Sequence, residues 1–239
     1  MKMDARIFDD LDSLSQNALE ELLRVLGDAV AQRGRFAIAL AGGHTPSRMY
    51  SLWAQDKYRE QTPWERVHLF WGDERYVATD DPLSNYRMTR KTLIAHVPIP
   101  PDNVHPMPTN FPRPEDAAKA YEIELRKFFG QAPPAFDLQL LGLGPEGHTA
   151  SLFPDSAALE EKTRWVAAVE APAKPTTRLT LTPPVLNCAL NTFFQVAGED
   201  KREILSALRG ETDAGRSRYP AARIQAGHVL WFLDKTAAD

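Results

Sequence analysis

The chain holds one cysteine among 239 residues. A lone thiol closes no intramolecular disulfide and builds no multi-cysteine zinc site, and such sparing use fits a reducing compartment. Long apolar runs are missing as well. Nothing approaches the roughly 20 residues of a membrane-spanning helix, and the first ten residues carry no apolar block of the kind found in secretory signals. A surplus of positive charge is absent too. Lys and Arg number 28 against 32 Asp and Glu, a formal net charge of −4, whereas general nucleic-acid binding calls for a basic surface. No Gly-Lys-Ser/Thr closes a glycine-rich turn, which argues against a nucleoside triphosphate site, and no Gly-x-Ser-x-Gly elbow presents a serine nucleophile. Internal repeats and low-complexity tracts are lacking. These absences lead to the expectation of a cytoplasmic protein whose partners are neither nucleic acid nor membrane.

What is there reads as an ordinary globular chain, 43% hydrophobic and 25% charged. Its length suffices for one large α/β domain, and no composition break divides residues 1–239, so one domain is expected. Helical and strand patterns alternate, the signature of an α/β fold with a mainly parallel sheet. Leu11, Leu14, Ala18, Leu22, Val25, Leu26 and Ala29 form the apolar stripe of an opening helix, for which Ser13 and Gln16 offer a capping box. Strands are expected at 36–41, 67–71, 136–141, 165–169, 178–181, 192–196 and 229–233, and helices at 46–54, 84–95, 114–129 and 201–208. The nineteen prolines cluster in connections, and 97–114 is the longest of these, a lid or an edge excursion.

Chemistry concentrates in three places. The run Leu140-Leu-Gly-Leu-Gly-Pro-Glu-Gly-His-Thr-Ala-Ser-Leu-Phe-Pro154 takes an apolar strand into a glycine-rich turn ending on His148. A titratable group at the carboxyl end of such a strand sits where open α/β sheets keep their ligand crevices. Gly42-Gly-His-Thr-Pro46 follows the first strand, with Thr45 as the expected N-cap and Pro46 at the first helical position. A bared backbone and a helix start together suit a phosphate or carboxylate, although an ordinary capped βα turn would read the same. Phe70-Trp-Gly-Asp-Glu-Arg-Tyr76 places Asp73, Glu74 and Arg75 after the next strand. Arg75 can bind an anion in bidentate fashion, and Asp73 can orient that arginine, orient His148 or act as a base; a surface ion pair is the plainer alternative. Cys188 has apolar neighbours and reads as a buried structural cysteine, and Ser151 as a cap or packing residue.

These three segments, with Ser84-Asn-Tyr86, together resemble the 6-phosphogluconolactonase family, within the superfamily that includes glucosamine-6-phosphate deaminase. Gly-His-Thr-Ala-Ser-Leu-Phe-Pro at 147–154 is the most specific element. The resemblance implies a Rossmann-like three-layer α/β/α fold and hydrolysis of 6-phosphoglucono-δ-lactone without metal or organic cofactor. The partner is then a phosphorylated sugar lactone, and the assembly a monomer or weak homo-oligomer. His148 is assigned as the base acting on water, with Asp73 or Glu146 supporting it and the backbone amides of Gly144 and Gly147 facing the oxyanion. The phosphate is placed at Gly42, Gly43 and Thr45, with Arg75, Arg178 and Lys201 as further anion contacts. One departure stands out: the family usually carries Asp before Gly-His, where this chain has Glu146, longer by a methylene.

Three other readings compete. A glucosamine-6-phosphate deaminase shares the anion turn and the histidine but carries Asp-Glu-Tyr where this chain has Asp73-Glu-Arg75. A dinucleotide-binding module would use Gly142-Leu-Gly-Pro-Glu-Gly147 as G-x-G-x-x-G, against which stand the charge of Glu146, the missing N–H of Pro145 and the early Pro154. A non-catalytic sugar-phosphate sensor would share the whole site.

Overall fold

The computed structural model describes residues 3–210 and 218–238. In chain order the strands are β1 (Ala5–Phe8), β2 (Phe36–Leu40), β3 (Val67–Trp71), β4 (Asp73–Arg75), β5 (Val104–His105), β6 (Leu138–Leu141), β7 (Val166–Glu170), β8 (Thr177–Leu181), β9 (Asn191–Val196) and β10 (His228–Asp234). The helices are α1 (Leu11–Arg33), α2 (His44–Trp53), α3 (Asp56–Arg59), α4 (Asn85–Thr92), α5 (Pro114–Phe129), α6 (Pro183–Leu186), α7 (Arg202–Gly210) and α8 (Lys235–Ala238). Among the described residues no helix is long and apolar enough to cross a membrane.

The stripe expected for α1 is buried at Leu14, Ala18, Leu22, Val25, Leu26 and Ala29. Its capping box lies one turn earlier than expected. Asp10, with extended backbone, accepts from the amide of Ser13, and the Ser13 hydroxyl accepts from the amide of Asp10. Ser13 is therefore the third helical residue and not the cap. Gly34 ends the helix in the left-handed conformation at φ 71°.

Seven strands form one sheet in the order β1-β10-β9-β6-β2-β3-β5, every neighbouring pair parallel. The mainly parallel α/β architecture holds. The chain moves from β2 outward through β3 to β5, then returns to β6 on the other side of β2. Between β2 and β6 the direction of travel reverses, and such a switch point is where open sheets leave a crevice at their carboxyl edge. The 97–114 connection is an edge excursion: Val104 pairs with Leu69, and Phe111 O accepts from the Tyr76 hydroxyl at 2.6 Å.

A second sheet was not foreseen. The strands expected at 165–169 and 178–181 do not join the parallel sheet; β7 and β8 pair antiparallel with each other, and β8 pairs antiparallel with β4. Both sheets share one continuous apolar core that runs from Leu14 to Ala237.

Candidate active site

Four loops leave the carboxyl ends of four adjacent strands. In the register Leu40 lies beside Trp71, Ala39 beside Gln139 and Leu141 beside Phe194. The turns after β3, β2, β6 and β9 thus rise side by side from one edge, with strands about 4.8 Å apart. They carry, in that spatial order, Asp73 to Arg75, Gly42-Gly43, Gly142 to His148, and Gly198 to Lys201.

The glycine turn after β2 starts α2 two residues earlier than the sequence suggests. Gly43, at φ 102°, is the N-cap, and no side chain caps the helix. Thr45 and Pro46 therefore sit inside the first turn and are not cap and first helical residue. No side-chain acceptor occupies this start, and its amides and the positive end of the helix dipole are of the kind that suits an anion.

The turn after β6 closes on itself. Gly144 N donates to His148 O at 2.9 Å, Gly147 N donates to Gly144 O at 2.9 Å, and the Thr149 hydroxyl donates to Gly142 O at 2.9 Å. This corrects the oxyanion assignment: the Gly144 and Gly147 amides are spent inside the turn. What these glycines provide is space. A Cβ at Gly144 would lie 1.9 Å from His148 Nδ1, and one at Gly147, whose φ is +80°, would lie 2.6 Å from Tyr219 Cδ1. The imidazole rests on Gly144, packs against Phe153 with ring centroids 4.4 Å apart, and is partly exposed. No helix follows the turn, and Thr149 and Leu152 instead form an isolated bridge. The helix start that would hold a dinucleotide's pyrophosphate is missing.

Glu146 Oε2 lies 3.1 Å from His148 Nδ1, so the longer side chain at this position does reach the imidazole. The contact is a close approach and not an aligned hydrogen bond, and neither atom has another hydrogen-bond partner. Partial burial pushes the Glu146 carboxyl up, but its own backbone amide, His148 and Lys201 outweigh burial and hold it below the usual range. Asp73 takes a different role. Its Oδ2 accepts from the Ser151 hydroxyl at 2.6 Å, and the Ser151 amide in turn donates to Thr180 Oγ1 at 3.3 Å. Ser151, expected as a cap or packing residue, instead ties the histidine loop to the small sheet. Ser151→Ala is expected to cost about 1–3 kcal/mol of stability, because it strips a donor from a buried carboxylate. Urea unfolding of the two proteins measures it, and equal midpoints would dismiss the bond.

Arg75 and Arg178 face each other across the antiparallel β4–β8 pair. Burial and the charge of Arg75 pull the Arg178 pKa below the ordinary arginine value, against the opposing effect of Asp73 and Glu146. Its guanidinium stands 5.8 Å from the Phe153 centroid, beside the ring that His148 also touches. Lys201 Nζ pairs with Asp200 Oδ2 at 2.8 Å. Glu74 lies outside this group: its buried carboxylate, whose pKa is raised by burial, accepts from the amides of Arg75, Asn85 and Tyr86 and from the Ser84 hydroxyl. Cys188 also departs from expectation. It is exposed, in the turn after α6, while its neighbours Val185 and Leu186 fill the core. Among the described residues no group of three or more His, Cys, Asp or Glu is placed to hold a metal ion.

Known proteins resemble this chain along its whole length. The family profile described as glucosamine-6-phosphate isomerases/6-phosphogluconolactonase matches residues 9–231. A 6-phosphogluconolactonase of Synechocystis sp. is 44% identical over 230 residues, which cover 95% of this chain and 93% of that protein. The 6-phosphogluconolactonase of Mycobacterium tuberculosis is 40% identical over 246 residues, with 100% and 98% covered. The solved structure of 6-phosphogluconolactonase from Trypanosoma brucei superposes with a TM-score of 0.85 at 30% identity, covering 99% of this chain and 98% of that one.

Proposed function

This chain belongs to the glucosamine-6-phosphate isomerase/6-phosphogluconolactonase family, and on that premise we propose that it hydrolyses 6-phospho-D-glucono-1,5-lactone to 6-phospho-D-gluconate. The observation that carries the reading is the His148–Glu146 pair at 3.1 Å, in the turn after β6, the strand that neighbours the one ending in the Gly42-Gly43 turn. A hexose phosphate laid across the switch point meets an anion site at one end and an imidazole at the other.

In the proposed reaction His148 takes a proton from water while the water oxygen bonds to C1 of the lactone. Glu146 holds the ring and favours the imidazolium that forms. The tetrahedral intermediate then collapses with cleavage of the bond from C1 to the ring oxygen, and that oxygen receives the proton from His148. Water is consumed, the histidine is restored, and the carboxylic acid product ionises, releasing acid.

The phosphate is assigned to the Gly42-Gly43 turn, the first turn of α2 at Thr45, and the cations Arg75, Arg178 and Lys201. The facing arginines support this. Like charges directly opposite on an antiparallel pair destabilise it, and a bound dianion removes that repulsion. Arg178→Ala is expected to raise KM for the phosphorylated lactone on the order of 10- to 100-fold, the value of a charge-assisted hydrogen bond, and to change KM for glucono-1,5-lactone far less. Parallel kinetics on the two lactones measure it; equal changes would remove Arg178 from the phosphate site. The activity itself is tested by pH-stat titration of acid released from freshly made 6-phosphogluconolactone, with spontaneous opening subtracted. No acceleration over that background would refute the reading.

A further inference from the structure

Gly42 has no backbone reason to be glycine. Gly43 needs its positive φ of 102°, but Gly42 is not in the left-handed region. What forbids a side chain there is Asn85, from the start of α4. A Cβ on Gly42 would lie 1.9 Å from Asn85 Oδ1 and 2.3 Å from its Cγ. Asn85 cannot withdraw cheaply, since it is buried and held at both ends. Its Nδ2 donates to Asp73 O at 2.9 Å, and its amide donates to Glu74 Oε1 at 2.7 Å.

Glu74 in turn fixes more than Asn85. Its carboxylate also accepts from Tyr86 N at 2.8 Å, the Ser84 hydroxyl at 3.1 Å and Arg75 N at 2.7 Å. The guanidinium of Arg75 donates from Nη1 to Leu83 O at 2.7 Å, in the turn immediately before Ser84. One buried carboxylate therefore sets the place of two separate anion-binding parts, the glycine turn through Asn85 and the guanidinium through Leu83.

We propose that Glu74 and Asn85 are positioning residues of the anion site, and that through Gly42 and Arg75 they set the preference for a phosphorylated over an unphosphorylated lactone. This rests on the phosphate assignment above. Two successive glycines lose much conformational freedom when ordered, and Asn85 pressed against the first removes that freedom before the ligand arrives. The carboxylate of Glu74 is needed as an all-acceptor group, because every neighbour it meets is a donor; an amide in its place turns an N–H toward those donors.

The test uses the full chain carrying Glu74→Gln, Asn85→Ala, Gly42→Ala or the pair Gly42→Ala with Asn85→Ala. Kinetics are run on 6-phosphogluconolactone and glucono-1,5-lactone, and calorimetry on 6-phosphogluconate and gluconate. Glu74→Gln and Asn85→Ala are expected to raise KM for the phosphorylated lactone about 10-fold, with kcat and the unphosphorylated lactone changed less than about 3-fold. Gly42→Ala should cost as much in the parent chain but under about 3-fold when Asn85 is already Ala, since its Cβ then has room. A Gly42→Ala penalty that is the same with and without Asn85 would overturn the proposal, as would equal losses on both lactones. If Glu74→Gln does not fold, the Gly42–Asn85 cycle decides alone. If the parent turns over neither lactone, the hydrolase reading fails, and the change in 6-phosphogluconate binding relative to gluconate still decides the positioning role.

Discussion

His148→Asn is expected to lower kcat on 6-phosphogluconolactone by about 100-fold or more, the lower end of what general-base catalysis supplies, and to leave KM within a few-fold. Asparagine keeps a polar side chain of similar reach but takes no proton at neutral pH. The fold should survive the change, because the turn is closed by bonds that do not involve the imidazole. These are Gly144 N to His148 O, the Thr149 hydroxyl to Gly142 O, and the Ser151 hydroxyl to Asp73. What is lost is the ring contact with Phe153 and the pairing with Glu146, both at a partly exposed position. The pH-stat rate and a thermal melt are to be read together. Turnover within about 3-fold of the parent in a folded variant would take His148 out of the chemistry.

Gly144→Ala should be nearly as damaging, by a different route. Gly144 is not in the left-handed region, so alanine meets no backbone obstacle there. The new methyl carbon would instead stand 1.9 Å from His148 Nδ1 and 2.1 Å from its Cε1. The ring must swing away, taking its proton-accepting nitrogen off the line of attack and Nδ1 away from Glu146. Displacing a catalytic group by about 1 Å costs on the order of 100-fold in rate. The decisive measurement is the double variant. If Gly144 matters only as the seat of the imidazole, Gly144→Ala in a His148→Asn background should cost less than about 3-fold, because the two changes disable one device. Full additivity would mean that the methyl group harms something else.

Much of this molecule is visible along the chain because it is local. The stripe of α1, the strand patterns at 36–41 and 67–71 and the helix at 114–129 are set by local backbone geometry, and the structure places them within a residue or two. The strands without a sequence signal are those with too few residues to show a period: β1 with four, partly exposed at the sheet edge, β4 with three, all of them charged, and β5 with two. Position of a cap is also a weak local signal. Asp10, Ser13 and Thr45 all have the chemistry, and only the backbone conformation chosen at each decides which one works.

The glycine-histidine run, the Gly42-Gly43 turn and the Asp73-Glu-Arg75 cluster were legible in the chain itself, because glycine spacing and charge type at strand ends report directly on what the backbone and side chains can do there. The partners of those residues were not. A short, mostly apolar run has the same pattern whether its neighbour runs parallel or antiparallel, so the sequence does not assign β7 and β8 to their small sheet. The same limit applies to hydrogen bonds. Asp73 and Ser151 are separated by 78 residues, and Glu74 caps a helix 11 residues away, so which carboxylate serves the imidazole and which serves the frame depends on how the strands pack. Residue chemistry is a property of position in the chain, whereas proximity is created only when burying the apolar faces brings distant loops to one edge of the sheet.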